Sequence, residues 1–300
     1  MTRQATFLAL WTILFWSSSY SAIRIGLESF SPGALAFLRF AVAGAALLLL
    51  APFLGIPWPR RGDWGLILLA GFLGIALYHT ALNFGEIQVP AGTAALLIAF
   101  APAFTAILAQ VFLGEKLSPP QWGGVALGLG GIAMITWGNG DWGWRWSALA
   151  IVGAAFSTSL FFIVEKFLFR RYSPAAVTVY ASLAGLFFLL PFAPGAVKDL
   201  ADASLGSWLA ALYLGIFPGA LAYLTWNRAL QLSQTGAVTS FLYLAPVVAM
   251  IMAFAALGET PSFPSLAGGM VVLVGVILAN RRPALSAEAA PAAQRGAAGP

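Results

Sequence analysis

Residues 92–116, GTAALLIAFAPAFTAILAQVFLGEK, return 144 positions later as GAVTSFLYLAPVVAMIMAFAALGET at 236–260. Each stretch opens on a glycine, carries Ala-Pro in its middle and closes on Leu-Gly-Glu. Ala101-Pro102 falls on Ala245-Pro246, and Leu113-Gly114-Glu115 on Leu257-Gly258-Glu259. At the same offset Gly71 meets Gly215, Asn83 meets Asn227, Pro120 meets Pro264 and Gly131 meets Gly275. Nearer the start of each unit the offset becomes 142, pairing Ser17 with Ser159, Arg24 with Lys166 and Pro32 with Pro174. So many identities at one spacing mark a duplicated unit.

The unit is built from membrane helices. Of 300 residues, 60% are hydrophobic and 8% charged, and mean hydropathy is +0.88. A soluble domain carries about 25% charged residues. Fifteen basic and ten acidic side chains cannot coat a water-facing protein of this size. A membrane helix needs about 20 apolar residues. Runs bounded by Gly, Pro or charge predict ten, near 5–25, 33–54, 63–83, 90–112, 121–138, 145–166, 174–192, 205–227, 234–257 and 264–281. The fold class is therefore all-α integral membrane, with residues 1–138 as one five-helix repeat and 139–282 as the second. Residues 283–300, rich in Ala and Pro, read as a disordered cytoplasmic tail. No cleavable signal is expected, because the first apolar stretch is as long as a full span. Ser31-Pro32 and Ser173-Pro174 are expected helix starts, hydroxyl cap first and proline next. The chain has no cysteine, which excludes a disulfide framework, thiol catalysis and thiolate-held metals. Neither cofactor nor metal is expected.

Five helices per unit is an odd number, so the second unit enters the membrane from the opposite side. Lysine and arginine bias sets the orientation. With both termini in the cytoplasm, eleven basic residues fall inside (Arg3, Arg60, Arg61, Lys116, Lys166, Arg170, Arg171, Arg228, Arg281, Arg282, Arg295) and three outside (Arg24, Arg145, Lys198). The net charge of +5 is thereby a topology signal, and no nucleic-acid partner is expected. The partners are the lipid bilayer and a small molecule; oligomeric state stays open. Inverted repeats are the signature of alternating-access transporters, whose cargo sits near the midplane between units.

Ten helices as five plus five, Trp16-Ser17-Ser18-Ser19-Tyr20 with Arg24, Arg39-Phe40, and Gly-Glu closing helices four and nine resemble the drug/metabolite transporter superfamily of EamA type. The resemblance covers about residues 5–281 and is greatest to bacterial YddG-type exporters of aromatic and other amino acids. It implies export across the bacterial inner membrane. Members often have lysine at the place of Arg24, so a lysine-specific role there does not carry over.

The candidate cargo residues follow from spacing. Trp16, Tyr20 and Arg24 recur every four residues on one helix face, with Ser17 beside them. On the third helix His79 and Asn83 are four apart, Tyr78 borders them, and Glu86 follows at the outer mouth. Phe100, Phe104, Phe241 and Tyr243 surround Pro102 and Pro246, and Ser157 and Ser159 come from the sixth helix. Such residues offer apolar area with polar handles, which suits an amphipathic ligand; the same aromatics would also serve as packing or as interface belts. His79 reads as a cargo contact or a packing residue before it reads as a proton-coupling group. Arg39 either pairs with a cargo carboxylate or braces a helix end. Pro102 and Pro246 free the carbonyls of Ile98 and Leu242, as hinges, cavity-facing groups or passive kinks. Gly124, Gly128 and Gly131, echoed by Gly268 and Gly275, mark close helix contacts within the scaffold or between subunits.

Function classes narrow accordingly. No nucleophile–base set, phosphate loop or metal-spaced cluster supports an enzyme. None of the ten acidic residues falls mid-span, which argues against a counter-ion for cationic drugs. The reading is a secondary exporter of amino acids, aromatic or large apolar and also such as threonine. The alternatives are export of drugs or other amphipathic metabolites, or a passive facilitator or channel on the same fold.

Overall fold

The computed structural model describes residues 2–233, 238 and 240–280. The expected tail at 283–300 and the start of the predicted ninth helix near 234 lie outside the described residues. Within them the chain is helical, with no strand. That is the form in which an apolar segment satisfies its own backbone in lipid.

Among the described residues, seven segments are long and apolar enough to cross a bilayer: α1 (Arg3–Gly26), α2 (Pro32–Leu50), α3 (Arg61–Glu86), α4 (Ala91–Leu113), α6 (Trp142–Leu168), α7 (Pro174–Asp202) and α8 (Leu205–Leu232). Between and after them lie α5 (Pro119–Gly138) and the shorter apolar α9 (Phe241–Leu257) and α10 (Phe263–Ala279). α7 runs about ten residues past its predicted end, because a 3₁₀ turn at Leu190–Phe192 absorbs Pro191 and helix resumes from Ala193. Ser173 caps α7 as expected, accepting from Ala176 N. Ser31 does not cap α2. Its hydroxyl makes no capping bond, and its backbone N–H donates instead to Asp199 Oδ2 at 3.2 Å.

Many alanines and glycines pack inside beside large side chains such as Phe40 and Phe100, while many large apolar residues also face out, as with Leu49, Phe53, Val111 and Met270. That apolar exterior suits a lipid surround. Contacts between the halves are reciprocal. α1 packs on α8 and α9, and α6 on α3 and α4; α2 packs on α8, and α7 on α3; α5 lies along α10. The last pair meets backbone to backbone. A Cβ added at Gly131 would stand 2.6 Å from Gly268 O, and one at Gly275 would stand 2.5 Å from Gly128 N. The glycine stripes therefore face each other inside the molecule, as the main seam between halves. Gly114 and Gly258 end α4 and α9 with φ of 71° and 67°, a left-handed turn that costs a non-glycine residue about 1–2 kcal/mol.

Bonds between connections fall into two sets. At one end Arg24 meets Glu259, Ser31 meets Asp199, Ser204 meets Ser29, and Ser262 meets Asn139. At the other, Lys166 meets Glu115, Arg171 meets Asp63, and Gln121 meets Ala279.

Candidate functional site

Two helix irregularities shape the centre. α3 passes through a π-turn at Phe72–Leu77 and α8 through one at Phe217–Leu221. Gly74 and Pro218, 144 residues apart, sit within these turns. Each turn widens its helix and leaves backbone groups to be met elsewhere. Ser157 Oγ donates to Leu73 O at 2.7 Å, and Thr225 Oγ1 to Leu221 O at 3.0 Å.

Just beyond the turns, α3 presents Tyr78 and His79, and α8 presents Tyr223, the repeat counterpart of His79. Tyr78 and His79 rings are 4.5 Å apart, and His79 lies 4.7 Å from Phe40. Trp16 packs edge-on to Tyr223 at 5.5 Å and against Trp226 at 5.3 Å. Tyr20 is buried beside them. Arg39, one residue before Phe40, is within electrostatic reach of Tyr223, Tyr78, Glu86 and Tyr20. Close approach of α8 holds it there, since a Cβ at Gly215 would stand 2.8 Å from Arg39 O. This cluster, on the seam between α1–α3 and α8, gathers Trp16, Tyr20, Tyr78, His79 and Asn83 from the predicted set. Its polar atoms are unusually bare. Arg39 Nε and Nη1, both His79 nitrogens, Asn83 Oδ1 and both Glu86 oxygens are buried without a hydrogen-bond partner. Such groups are normally satisfied.

Other predicted residues go elsewhere. Ser17 Oγ donates to Ala245 O at 3.0 Å, and its counterpart Ser159 Oγ to Ala101 O at 2.8 Å. These hydroxyls tie the first helix of each half to the proline break of the other, at Pro246 and Pro102. The bonded carbonyls are those just before the prolines, not the freed Ile98 and Leu242 carbonyls. α4 breaks between Ile98 and Ala101, and α9 continues from a 3₁₀ turn at Ser240–Leu244. Phe100 is fully buried toward α5, where a Cβ at Gly128 would meet its ring at 2.3 Å. Phe104 packs between Phe100 and Phe156. Tyr243 lies half-buried in the turn before α9. Within the cluster, Asn83 Nδ2 donates to Pro32 O at 2.9 Å.

Sequence reasoning missed Tyr223 and Trp226, and it underrated Glu86. Tyr223 did carry a signal, standing 144 residues after His79. Glu86, expected at the outer mouth past a helix end near 83, is the last residue of α3 and is fully buried. A helix end buried under neighbouring helices cannot be seen from its own helix.

Two ion pairs frame the cluster. Arg24 Nε meets Glu259 Oε1 at 2.9 Å, Glu259 Oε2 accepts Ala91 N at 2.8 Å, and Arg24 Nη1 donates to the carbonyls of Glu86 and Ile87. At the other end Lys166 Nζ meets Glu115 Oε1 at 3.1 Å. The pairs are counterparts under the repeat.

The model of the EamA-like transporter family matches residues 3–137 and again 145–281. The chain belongs to that family. Among its relatives is a Streptantibioticus cattleyicolor protein named "Probable terminal-alkyne amino-acid exporter", 39% identical over 90% of this chain and 91% of its own. The uncharacterized transporter YdfC of Bacillus subtilis is 35% identical over 87% of this chain and 86% of its own. A solved protein structure, 21% identical, superposes with a TM-score of 0.62 over 93% of this chain and 98% of its own, showing a shared fold. This EamA-like chain is thus a multi-pass membrane transporter of two-repeat design, and family and relatives alike are transporters, not enzymes.

Proposed function

We propose that the chain exports amino acids with large apolar or aromatic side chains, and others such as threonine, across the bacterial cytoplasmic membrane. The observation that carries this is the buried cluster on the seam between halves, where Trp16, Tyr20, Tyr78 and Tyr223 surround bare polar atoms of Arg39, His79 and Glu86. Rings supply area for a side chain, and the polar atoms supply partners for a polar head. The relative named as an amino-acid exporter supports the cargo class.

The movement we propose is alternating access by ten spans, residues 1–138 forming one five-helix repeat and 139–282 the other, inverted one. The double family match and the reciprocal contacts support that division. The two sets of bonds between connections support the inversion, because connections placed on one side by charge bond to one another. Both termini are then cytoplasmic. Pro102 and Pro246 serve as hinges, and the counterpart ion pairs latch opposite faces.

Counterflow in proteoliposomes tests the reading: unlabelled phenylalanine outside should accelerate exchange of labelled phenylalanine, as only a carrier allows. A second reading has one observation in its favour. The buried Glu86 carboxylate offers a cation a counter-charge, so efflux of quaternary ammonium dyes without amino-acid exchange would establish a drug exporter instead.

A further inference from the structure

We infer that Arg39 and Glu86 bracket the polar head of the cargo, the guanidinium taking an α-carboxylate and the carboxylate an α-ammonium, so that the ligand is a free α-amino acid recognised as a zwitterion. This rests on the export reading and deepens it.

Both groups are withdrawn from solvent, at 3% exposure for Arg39 and none for Glu86. Among the described residues neither finds a hydrogen-bonding or ion-pair partner, the Arg39 guanidinium lying instead 5.6 Å from the Phe40 ring. Arg39 Nε and Nη1 and both Glu86 oxygens lack hydrogen bonds, and the ion pairs among the described residues lie elsewhere. A structural brace would bond backbone groups, as Arg24 does nearby. Buried charges without partners are costly. Opposite charges that stay apart in one cluster are matched by a ligand carrying both signs.

Register separates the two along the α2–α3 pair. Asn83 Nδ2 bonds Pro32 O, which aligns the last turn of α3 with the first turn of the antiparallel α2. Arg39 lies seven residues along α2 from Pro32, and Glu86 three residues beyond Asn83. At about 1.5 Å per residue their Cα levels differ by about 15 Å. Side chains tilt toward the N-terminus of their own helix, so Arg39 leans toward the Glu86 end and Glu86 leans back toward Arg39. Each is in the other's field, and Glu86 is also in the field of Arg24, which acts on it more strongly than Arg39 does. Asn83 Oδ1, also bare, is a further acceptor near the ammonium. His79 and Tyr78 continue from Arg39 toward the rings that would hold the side chain.

The test compares three ligands of one shape: L-phenylalanine, phenethylamine without the carboxylate, and 3-phenylpropionate without the ammonium. Affinities are read by tryptophan fluorescence on the purified full-length protein, with counterflow in liposomes alongside. The wild type should bind phenylalanine about tenfold or more tighter than either analogue. Glu86→Gln should close the gap to 3-phenylpropionate alone, and Arg39→Gln the gap to phenethylamine alone. Ratios within one variant do not depend on its folded fraction, and the wild-type comparison needs no variant. Equal binding of an analogue by the wild type, or a gap that persists in either variant, overturns the bracket while counterflow leaves export standing. A wild type that neither binds nor exchanges any of twenty amino acids removes export and the bracket together.

Discussion

Trp16 is the side chain on which cargo size should register first. It stands on α1 against Tyr223 and Trp226 of α8 and is half-buried. Replacing Trp16 with alanine removes apolar contact worth about 25 cal/mol per Å². Affinity for phenylalanine should fall about tenfold while threonine changes by less than about threefold, as measured by competition in counterflow. Equal losses for both would assign Trp16 to packing. At this scale, what was legible in the sequence was whatever helical spacing displays. Trp16 with Tyr20, and His79 with Asn83, announce themselves as shared faces. The fates of Ser17, Ser157 and Ser159 were hidden, because their acceptors are backbone carbonyls of helices 58 to 228 residues away. A hydroxyl in a span says that it needs an acceptor, not whether that acceptor is cargo or chain.

Elements show a different balance. The proline breaks and the glycine-ended α4 and α9 follow from residues with fixed backbone demands, so their positions were readable. The π-turns were not, since Gly74 and Pro218 are compatible with several kinds of irregularity and only packing selects one. Pro102→Ala with Pro246→Ala should slow exchange about tenfold while cargo affinity stays within about threefold, read by separating turnover from half-saturation. Wild-type turnover would reduce both to passive kinks. The α5–α10 seam makes a stability prediction. Gly131→Val puts a branched side chain where Cβ alone stands 2.6 Å from Gly268 O, an overpacking that costs about 1–3 kcal/mol. Melting in detergent should fall by several degrees, while Gly130→Val, whose Cβ would meet open space, should leave it unchanged.

For the whole molecule, topology is open to direct labelling because the chain has no cysteine. Cysteines at the exposed Lys116 and Asp202 should react with impermeant reagents from the cytoplasm and from outside respectively; labelling of both from one side would break the inverted arrangement. The duplicated plan was legible because it is a property of spacing, while the reciprocal bonds that use it needed coordinates. Removing each latch separately should reveal their inequality. Glu259→Gln, which removes the carboxylate shared by Arg24 and Ala91 N, should slow exchange about tenfold, and Glu115→Gln by less than about twofold, since exposed ion pairs contribute about 0–1 kcal/mol. The same inequality makes dissolved salt an input. Side-chain exposure is 30% and 17% for Arg24 and Glu259 but 49% and 62% for Lys166 and Glu115, and counter-ions screen exposed charges over about 8 Å at physiological strength. Under the alternating access proposed above, raising the ionic strength should loosen the face held by Lys166 and Glu115 and spare the other, so that a protein whose halves are related by a two-fold turn would have a resting preference set by the medium on one side of its membrane.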